Sequence, residues 1–468
     1  MNAAQQRRER SDWIRCPLIV FTADASQVLV TRGAAGLCLP LVGIPTQVRL
    51  AAGLTSATEQ FLGVPTVHSF SLPSLSGSTA YRVMECIADN YELSAAFEWK
   101  PLRELTADCF AGQADFQAVL AALSQREDAT TLPAQQFYAL GWFPQVQQWV
   151  SESVEKWGLR LTPTFQQWNA APGFSLIRFV TDERSVWFKA VAAPLADELE
   201  ITRTLCQLFP DHTVQLVAVN RKWNAWLSLE ADGSCLDEVC CPQAWQYVAG
   251  RLADLQIRSI SHADKILESG AANLSRPEII ERITALIDCA RGLMTQQTKP
   301  SPPALTERQL DELQHRIEVS LAEAGAITPP EALGNIDFNP GNVIVNRPTS
   351  CTFLDWAGAY VGYPFATFEY LLEHLRRQAN ASLGAEARLQ QAYWKRWREL
   401  LSEAQIAELR RLNPLLSVFF FAEELCRQRG GVIDEATAPY MRSLLRRMKR
   451  EADLIGGALA SAPARDGG

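Results

Sequence analysis

Asp337-Phe338-Asn339-Pro340-Gly341-Asn342-Val343-Ile344-Val345, followed by Phe353-Leu354-Asp355-Trp356, is the stretch on which the reading of this chain turns. It sets an Asp, an Asn five residues on, and a second Asp thirteen residues after that. Val343 to Val345 reads as a short strand, Asn346-Arg347-Pro348-Thr349-Ser350 as a turn, and Thr352 to Leu354 as the returning strand. If Val343 pairs with Leu354, then Asn342 and Asp355 are neighbours at the open end of the hairpin, where opposed Cβ atoms stand about 4.5–5.5 Å apart. Two oxygen-bearing side chains at that separation can share a metal ion. Asp337 lies one loop upstream, and Pro340-Gly341 turns the chain back toward the strand. Phosphoryl transfer from ATP needs such a set: a carboxylate to orient an acceptor hydroxyl, and oxygen ligands for Mg²⁺. The plainer reading is a polar loop capping an ordinary hairpin.

Upstream, Phe174-Ser175-Leu176-Ile177-Arg178-Phe179-Val180 alternates as a strand, Thr181 to Arg184 turns, and Ser185-Val186-Trp187-Phe188-Lys189-Ala190-Val191 returns. Lys189 sits inside an apolar strand, where a lysine wants a partner. The next segment offers one: Glu198, Ile201, Leu205 and Leu208 share one helical face, while Glu200 points elsewhere. A carboxylate on a buried face wants a cation, so a Lys189–Glu198 ion pair is expected. The alternative is a strand-edge lysine in water and a peripheral glutamate. Val214 to Val219 and Ala225 to Glu230 read as two further strands.

The run Gly334-Asn335-Ile336-Asp337-Phe338-Asn339-Pro340-Gly341-Asn342-Val343 resembles the catalytic loop of aminoglycoside phosphotransferase-like small-molecule kinases, which read His-Gly-Asp-x-x-x-x-Asn with a later metal-binding Asp. Asp355-Trp356 and Val361-Gly362-Tyr363-Pro364-Phe365 match the motif and stretch that follow. The resemblance implies Asp337 as the catalytic base or hydroxyl-orienting residue and Asn342 and Asp355 as Mg²⁺ ligands. It assigns Lys189, held by Glu198, to the α- and β-phosphates of ATP, and Leu229, Glu230 and Ala231 to a hinge that holds adenine. Asn335 stands where the family has His and Ile336 where it has Gly; Asn can still donate and accept hydrogen bonds. No G-x-G-x-x-G is present, and Ala171-Pro172-Gly173-Phe174 is the available phosphate turn. The implied fold is α+β: a protein-kinase-like two-lobed domain with a small β-rich lobe at 165–232 and a large helical lobe at 233–460. The implied activity is phosphate transfer from ATP to a hydroxyl of a small molecule; sugars, aminoglycosides, amino alcohols and peptidic metabolites all remain open. A different class of protein, a pseudokinase that binds nucleotide as a regulatory or scaffolding module, is suggested by Asn335-Ile336.

The large lobe is expected to hold helices at Trp245 to Ile257, Pro277 to Met294, Glu307 to Ala324, Phe365 to Gln378, Ala385 to Leu401, Glu403 to Leu412, Leu415 to Arg429 and Thr437 to Ile455. Glu369 and Glu373 either line a pocket for a cationic acceptor or lie on a helix surface. Trp394 and Trp397 read as core. Arg442, Arg446, Arg447, Lys449 and Arg450 read as the solvated face of a terminal helix, with RNA or an anionic surface as the alternative.

Residues 1–145 need a separate account. A hairpin at Leu18 to Arg32, a helical setting at Ala57 to Phe61, strands at His68 to Leu72 and Ala80 to Cys86, the Trp99-Lys100-Pro101-Leu102 stretch and a helix at Asp115 to Leu123 together resemble a Nudix α/β domain. Its metal-binding glutamates are missing: Ala57, Gln60 and Phe61 occupy their places and Glu59 is one position off. The resemblance therefore implies a degenerate Nudix-like domain, with an unrelated α/β domain as the alternative. A linker is expected at 146–164, around Gly158 and Pro163, and a loose tail at 461–468.

Composition sets the outer bounds. The 468 residues are 47% hydrophobic, ample for globular cores, with no apolar run long enough to span a bilayer and no apolar segment behind the charged Met1 to Asp12. Eleven Cys without a C-x-x-C fit reduced thiols and a cytoplasmic location, and adjacent Cys240 and Cys241 read as packing residues. Five His, none paired at ligand spacing, disfavour zinc. A net charge of −8 disfavours general nucleic-acid binding.

Overall fold

The computed structural model describes residues 13–72, 80–88, 91–131, 139–171, 173–346, 350–378 and 384–460. The expected readings of the N-terminal twelve residues, of Pro172, of 347–349 and of the tail at 461–468 lie outside the described residues. The chain is mixed α+β and divides into two compact units: Met1–Leu199 with Gln215–Glu230, and Glu200–Val214 with Ala231–Gly468.

The first unit holds two sheets. In the seven-stranded sheet the spine runs Gly36–Cys38, Gln27–Gly33, Trp13–Phe21, Tyr81–Cys86, Thr66–Leu72, with Leu41–Pro45 and Phe97–Pro101 added beside it. Trp13–Phe21 and Tyr81–Cys86 run parallel. Strand alternation sends successive side chains to opposite faces. Ile19, Phe21, Val28, Val30 and Val83 thus pack with Ala118, Val119 and Ala122 of the helix Gln113–Thr131. Leu18, Val20, Leu29 and Met84 pack on the other face with Leu54 and Ala57 of the helix Leu50–Ala57.

The second sheet of this unit is antiparallel, in the order Leu216–Asn220, Ala225–Leu229, Val186–Val191, Phe174–Thr181, Leu161–Ala171. Its apolar face is covered by the helix Trp142–Glu155, whose Phe143, Val146, Val150 and Val154 meet Ile177, Phe179, Val186 and Phe188. The segment expected as a linker, 146–164, falls mostly in the helix Trp142–Glu155 and the strand Leu161–Ala171, with a short turn at 156–160 between them. Val146, Val150 and Val154 repeat every fourth residue and form one helical face. Gly158 supplies a left-handed turn (φ +74°) after the helix. Pro163 lies in the strand Leu161–Ala171, where the register shifts between Leu161 and Phe165, the kind of irregularity that admits a proline.

The second unit is mainly helical, with helices Pro242–Ser259, Arg276–Thr295, Glu307–Ile327, Phe365–Arg377, Ala385–Trp397, Glu403–Gln428 and Ala438–Ala460. They share one core in which Leu252, Ile287, Leu313, Phe368, Trp397 and Phe419 are buried. Two helices expected on either side of Pro414 are one continuous helix, Glu403–Gln428. An interior proline forfeits a hydrogen bond and costs about 3 kcal/mol, but Leu412, Leu415, Leu416 and Phe419 on both sides are all fully buried. Packing on the shared core outweighs the local penalty. Trp394 and Trp397 belong to that core. Cys240 and Cys241 are exposed rather than packed.

The basic residues of the last helix are not simply a solvated face. Arg442 donates to the Leu293 carbonyl at 2.9 Å, Arg446 to the Pro303 carbonyl at 3.0 Å, and Arg447 pairs with Glu373 at 2.6 Å. These guanidinium groups close helix and loop carbonyls and tie the terminal helix to its neighbours. No helix among the described residues is long and apolar enough to cross a membrane.

Candidate active site

Two small sheets of the second unit place the motif residues. Ala332–Asn335 pairs with Ala359–Gly362, and Val343–Asn346 pairs with Ser350–Phe353. Asn335, at the end of its strand, is buried to 3% exposure. Its side chain is committed at both ends. Oδ1 accepts the Asp337 N–H at 3.0 Å, and Nδ2 donates to the Asp355 carbonyl at 2.8 Å. The backbone N–H of Asn335 donates to Thr367 Oγ1 at 2.9 Å. The Ile336 N–H donates to the Gly358 carbonyl at 2.9 Å. One amide thus fixes the Asp337 loop against the Asp355 turn.

Gly358 permits that approach. A Cβ there would stand 2.8 Å from Asn335 Oδ1 and 3.0 Å from the Asp337 nitrogen. Sequence reading missed Gly358; its signal is the glycine three residues after the Asp355 position, which reads as an ordinary turn until the close contact is seen.

Between Asp337 and the hairpin, Asn339 Oδ1 accepts the Gly341 N–H at 2.9 Å and the Asn339 carbonyl accepts the Asn342 N–H at 2.8 Å. This turn aims Asn342 back along the strand. The hairpin register differs from expectation by one residue: Val343 opposes Phe353, and the Leu354 N–H donates to the Asn342 carbonyl at 2.8 Å. The closest pair across the turn is Asn346 and Ser350, so three residues connect the strands, and loop length sets register. Asp355 nonetheless reaches Asn342, because it adopts φ +60°, a left-handed conformation uncommon outside glycine. Asn342 Nδ2 lies 3.4 Å from Asp355 Oδ2.

A carboxylate beside a carboxamide is a hard-oxygen donor set that fits Mg²⁺, which is held by one or two carboxylates with phosphate oxygens and water completing the shell. Which amide atom faces the carboxylate is an assignment of orientation, and rotation of the Asn342 amide would present its oxygen.

Two further helices, Phe365–Arg377 and Ala438–Ala460, carry a linked set of charges. Burial raises the Tyr440 hydroxyl above its ordinary pKa, with Arg377 and Arg447 opposing and the Asp337 charge adding to the rise. Glu373 is shared by Arg376 at 3.1 Å, Arg377 at 3.5 Å and Arg447 at 2.6 Å. Glu369 is buried rather than on the surface; its carboxylate holds Arg376 at 2.7 Å and accepts from Asn413 at 3.1 Å. Burial raises its pKa, with Arg376 opposing.

In the first unit, Lys189 pairs with Glu198 at 2.6 Å, with side-chain exposures of 13% and 1%. Lys189 Nζ also stands 5.7 Å from the Phe174 ring centroid and 5.6 Å from that of Trp226. The expected helical face is present: Glu198, Ile201 and Leu205 are buried, while Glu200 is partly exposed and pairs with Arg203. Of the proposed hinge, Leu229 is 7% exposed and its N–H donates to the Gln215 carbonyl. The Glu230 N–H donates to the Ser185 carbonyl, and the Glu230 carbonyl accepts Arg184 at 2.8 Å. Its carboxylate grips Arg178 through two bonds of 2.6 and 2.7 Å. Glu230 is therefore occupied structurally; Ala231 follows it outside any helix or strand.

No family model matches this sequence, and no curated protein matches it. Solved structures do show likeness. The macrolide 2′-phosphotransferase MphH from Brachybacterium faecium is 15% identical, over 64% of this chain and 97% of that one, with a TM-score of 0.43. The choline kinase LicA from Streptococcus pneumoniae is 12% identical over 67% and 99%, with a TM-score of 0.43. A Plasmodium vivax ethanolamine kinase is 14% identical over 61% and 82%, with a TM-score of 0.44. Identities and scores this low leave the site to be read from the chain's own residues.

Proposed function

We propose that this chain transfers a phosphoryl group from ATP to a hydroxyl of a small molecule, in a Mg²⁺-dependent reaction on a protein-kinase-like two-lobed domain. The observation that carries the reading is the pair of bonds from one buried amide, Asn335, that hold Asp337 and Asp355 in fixed relation. Asp337 orients the acceptor hydroxyl and receives its proton as the oxygen attacks. Asn342 and Asp355 would hold Mg²⁺, which would supply positive charge to the phosphates. Lys189, oriented by Glu198, binds the α- and β-phosphates. Leu229 and Ala231 bound the adenine. The N-terminal sheet is read as a degenerate Nudix-like domain, because Glu59 is the one acidic residue in the turn at Thr58–Leu62 that follows its helix. Cytoplasmic location belongs to the same proposal.

The test is an acceptor screen with ATP and Mg²⁺, following ADP release, in the parent and in Asp337→Ala. Turnover with at least one hydroxyl acceptor, lost in Asp337→Ala while ATP binding persists, supports transfer. Nucleotide binding without transfer to any acceptor would favour the nucleotide-binding scaffold instead. Equal turnover in both proteins would overturn the role of Asp337.

A further inference from the structure

Gln167 is a polar side chain buried to 4% exposure on the strand Leu161–Ala171. Its Oε1 accepts the His68 N–H at 2.8 Å, and its Nε2 donates to the His68 carbonyl at 2.8 Å. This reciprocal exchange is what two backbones make in an antiparallel pair; here a side-chain amide replaces one peptide. Both strands are irregular at this point. Thr66–Leu72 shifts register between His68 and Phe70, and Leu161–Ala171 shifts between Gln167 and Asn169. The bulges leave Ser69 and Trp168 out of their own ladders; His68 and Gln167, just before them, stay in register and bond each other across the two sheets.

The neighbouring residue adds a second attachment. The Arg49 guanidinium lies 4.9 Å from the Trp168 ring centroid, and Trp168 packs edge-on against Trp187 at 5.1 Å. Arg49 precedes the helix Leu50–Ala57 of the N-terminal sheet. The face of that helical segment carrying Ala52, Thr55, Ser56 and Glu59 lines a groove of about 880 Å³ together with Gln166 and Trp168.

The strand Leu161–Ala171 leads into the turn before Phe174. Ala171 opposes Phe174, the Gly173 carbonyl accepts the Ala192 N–H at 2.9 Å, and the Phe174 ring lies against Lys189. We propose that the N-terminal sheet is a brace for this hairpin, and that Gln167 is a positioning residue that holds its Ala171–Phe174 pair beside Lys189 for the phosphates of the nucleotide. This rests on the reading of Lys189 as the phosphate site.

The full-length parent is compared with Gln167→Met, which keeps side-chain length and removes both hydrogen bonds. Mg·ATP affinity, adenosine affinity and amide hydrogen exchange over 161–181 are measured. The brace predicts faster exchange in 161–181 and ATP affinity weakened by about fivefold or more, at the low end of coupling between sites, with adenosine affinity changed by less than about twofold. Arg49→Met, an exposed substitution that leaves the core intact, is expected to weaken ATP in the same selective way. Unchanged exchange in Gln167→Met, or equal loss of ATP and adenosine in both variants, overturns the brace. If the parent binds neither nucleotide, the phosphate-site reading fails, while the exchange comparison still decides whether Gln167 holds the hairpin.

Discussion

Asn335 and Asp355 are joined by a hydrogen bond from the Asn335 amide to the Asp355 carbonyl at 2.8 Å, and the other end of that amide holds the Asp337 N–H at 3.0 Å. The bridge spans two motifs eighteen residues apart in sequence. It needs one donor and one acceptor on a short planar group, which Asn supplies.

Asn335→Leu should orphan two partly buried backbone groups, the Asp337 N–H and the Asp355 carbonyl. Each costs about 1–3 kcal/mol when left unsatisfied. Urea denaturation is expected to show a loss of up to about 2–6 kcal/mol on that basis, together with loss of any turnover. A midpoint equal to the parent's would mean that the bridge has no structural weight.

Gly358→Ala tests the same junction from the opposite side. The added methyl meets Asn335 Oδ1 at 2.8 Å and the Asp337 nitrogen at 3.0 Å. Overpacking of this kind costs about 1–3 kcal/mol. Turnover should fall more than stability, since the displaced atoms hold Asp337. A fully active, fully stable variant would contradict the close approach.

The Lys189–Glu198 pair predicts an asymmetry. Removing one member of a buried pair costs about 3–5 kcal/mol, whereas replacing both with apolar residues can be neutral. Glu198→Leu alone should be strongly destabilised in urea. Lys189→Met combined with Glu198→Leu should recover most of the loss yet fail to bind ATP. Recovery of ATP binding in the double variant would remove Lys189 from the phosphate site.

Two buried histidines set an acid limit. Burial is the main cause that lowers the pKa of both His68 and His212 from 6.5 to about 4. Between those values the unfolded chain binds more protons than the folded one, so stability falls as pH falls from 6.5 toward 4. Each group contributes a slope of up to about 1.4 kcal/mol per pH unit. Urea midpoints at pH 7.5, 6 and 5 should therefore decline only below about pH 6.5. A flat profile down to pH 5 would show that both rings are solvated in the native state.

The candidate site was legible because its parts are local. Asp337, Asn342 and Asp355 lie within nineteen residues, and a hairpin plus a turn determines most of their geometry. The pattern of buried residues on one helical face was enough to pair Lys189 with Glu198. What escaped was tertiary. The hairpin register depended on a three-residue connection, and the chain break at Pro414 was overridden by core packing. The supposed linker at 146–164 carried a valine repeat whose partner strands lie downstream. Gln167 and His68 are ninety-nine residues apart, and no local pattern announces that a glutamine will stand in for a peptide group.

The most direct test of the account is the melting temperature of the parent and of Asp355→Ala, each with and without ATP and Mg²⁺. A ligand that binds only the native state stabilises by mass action, by about 2.7 kcal/mol at a hundred times its Kd. The account predicts a Mg²⁺-dependent rise in the parent that is lost in Asp355→Ala. No rise in the parent, or an equal Mg²⁺-dependent rise in both proteins, would contradict it.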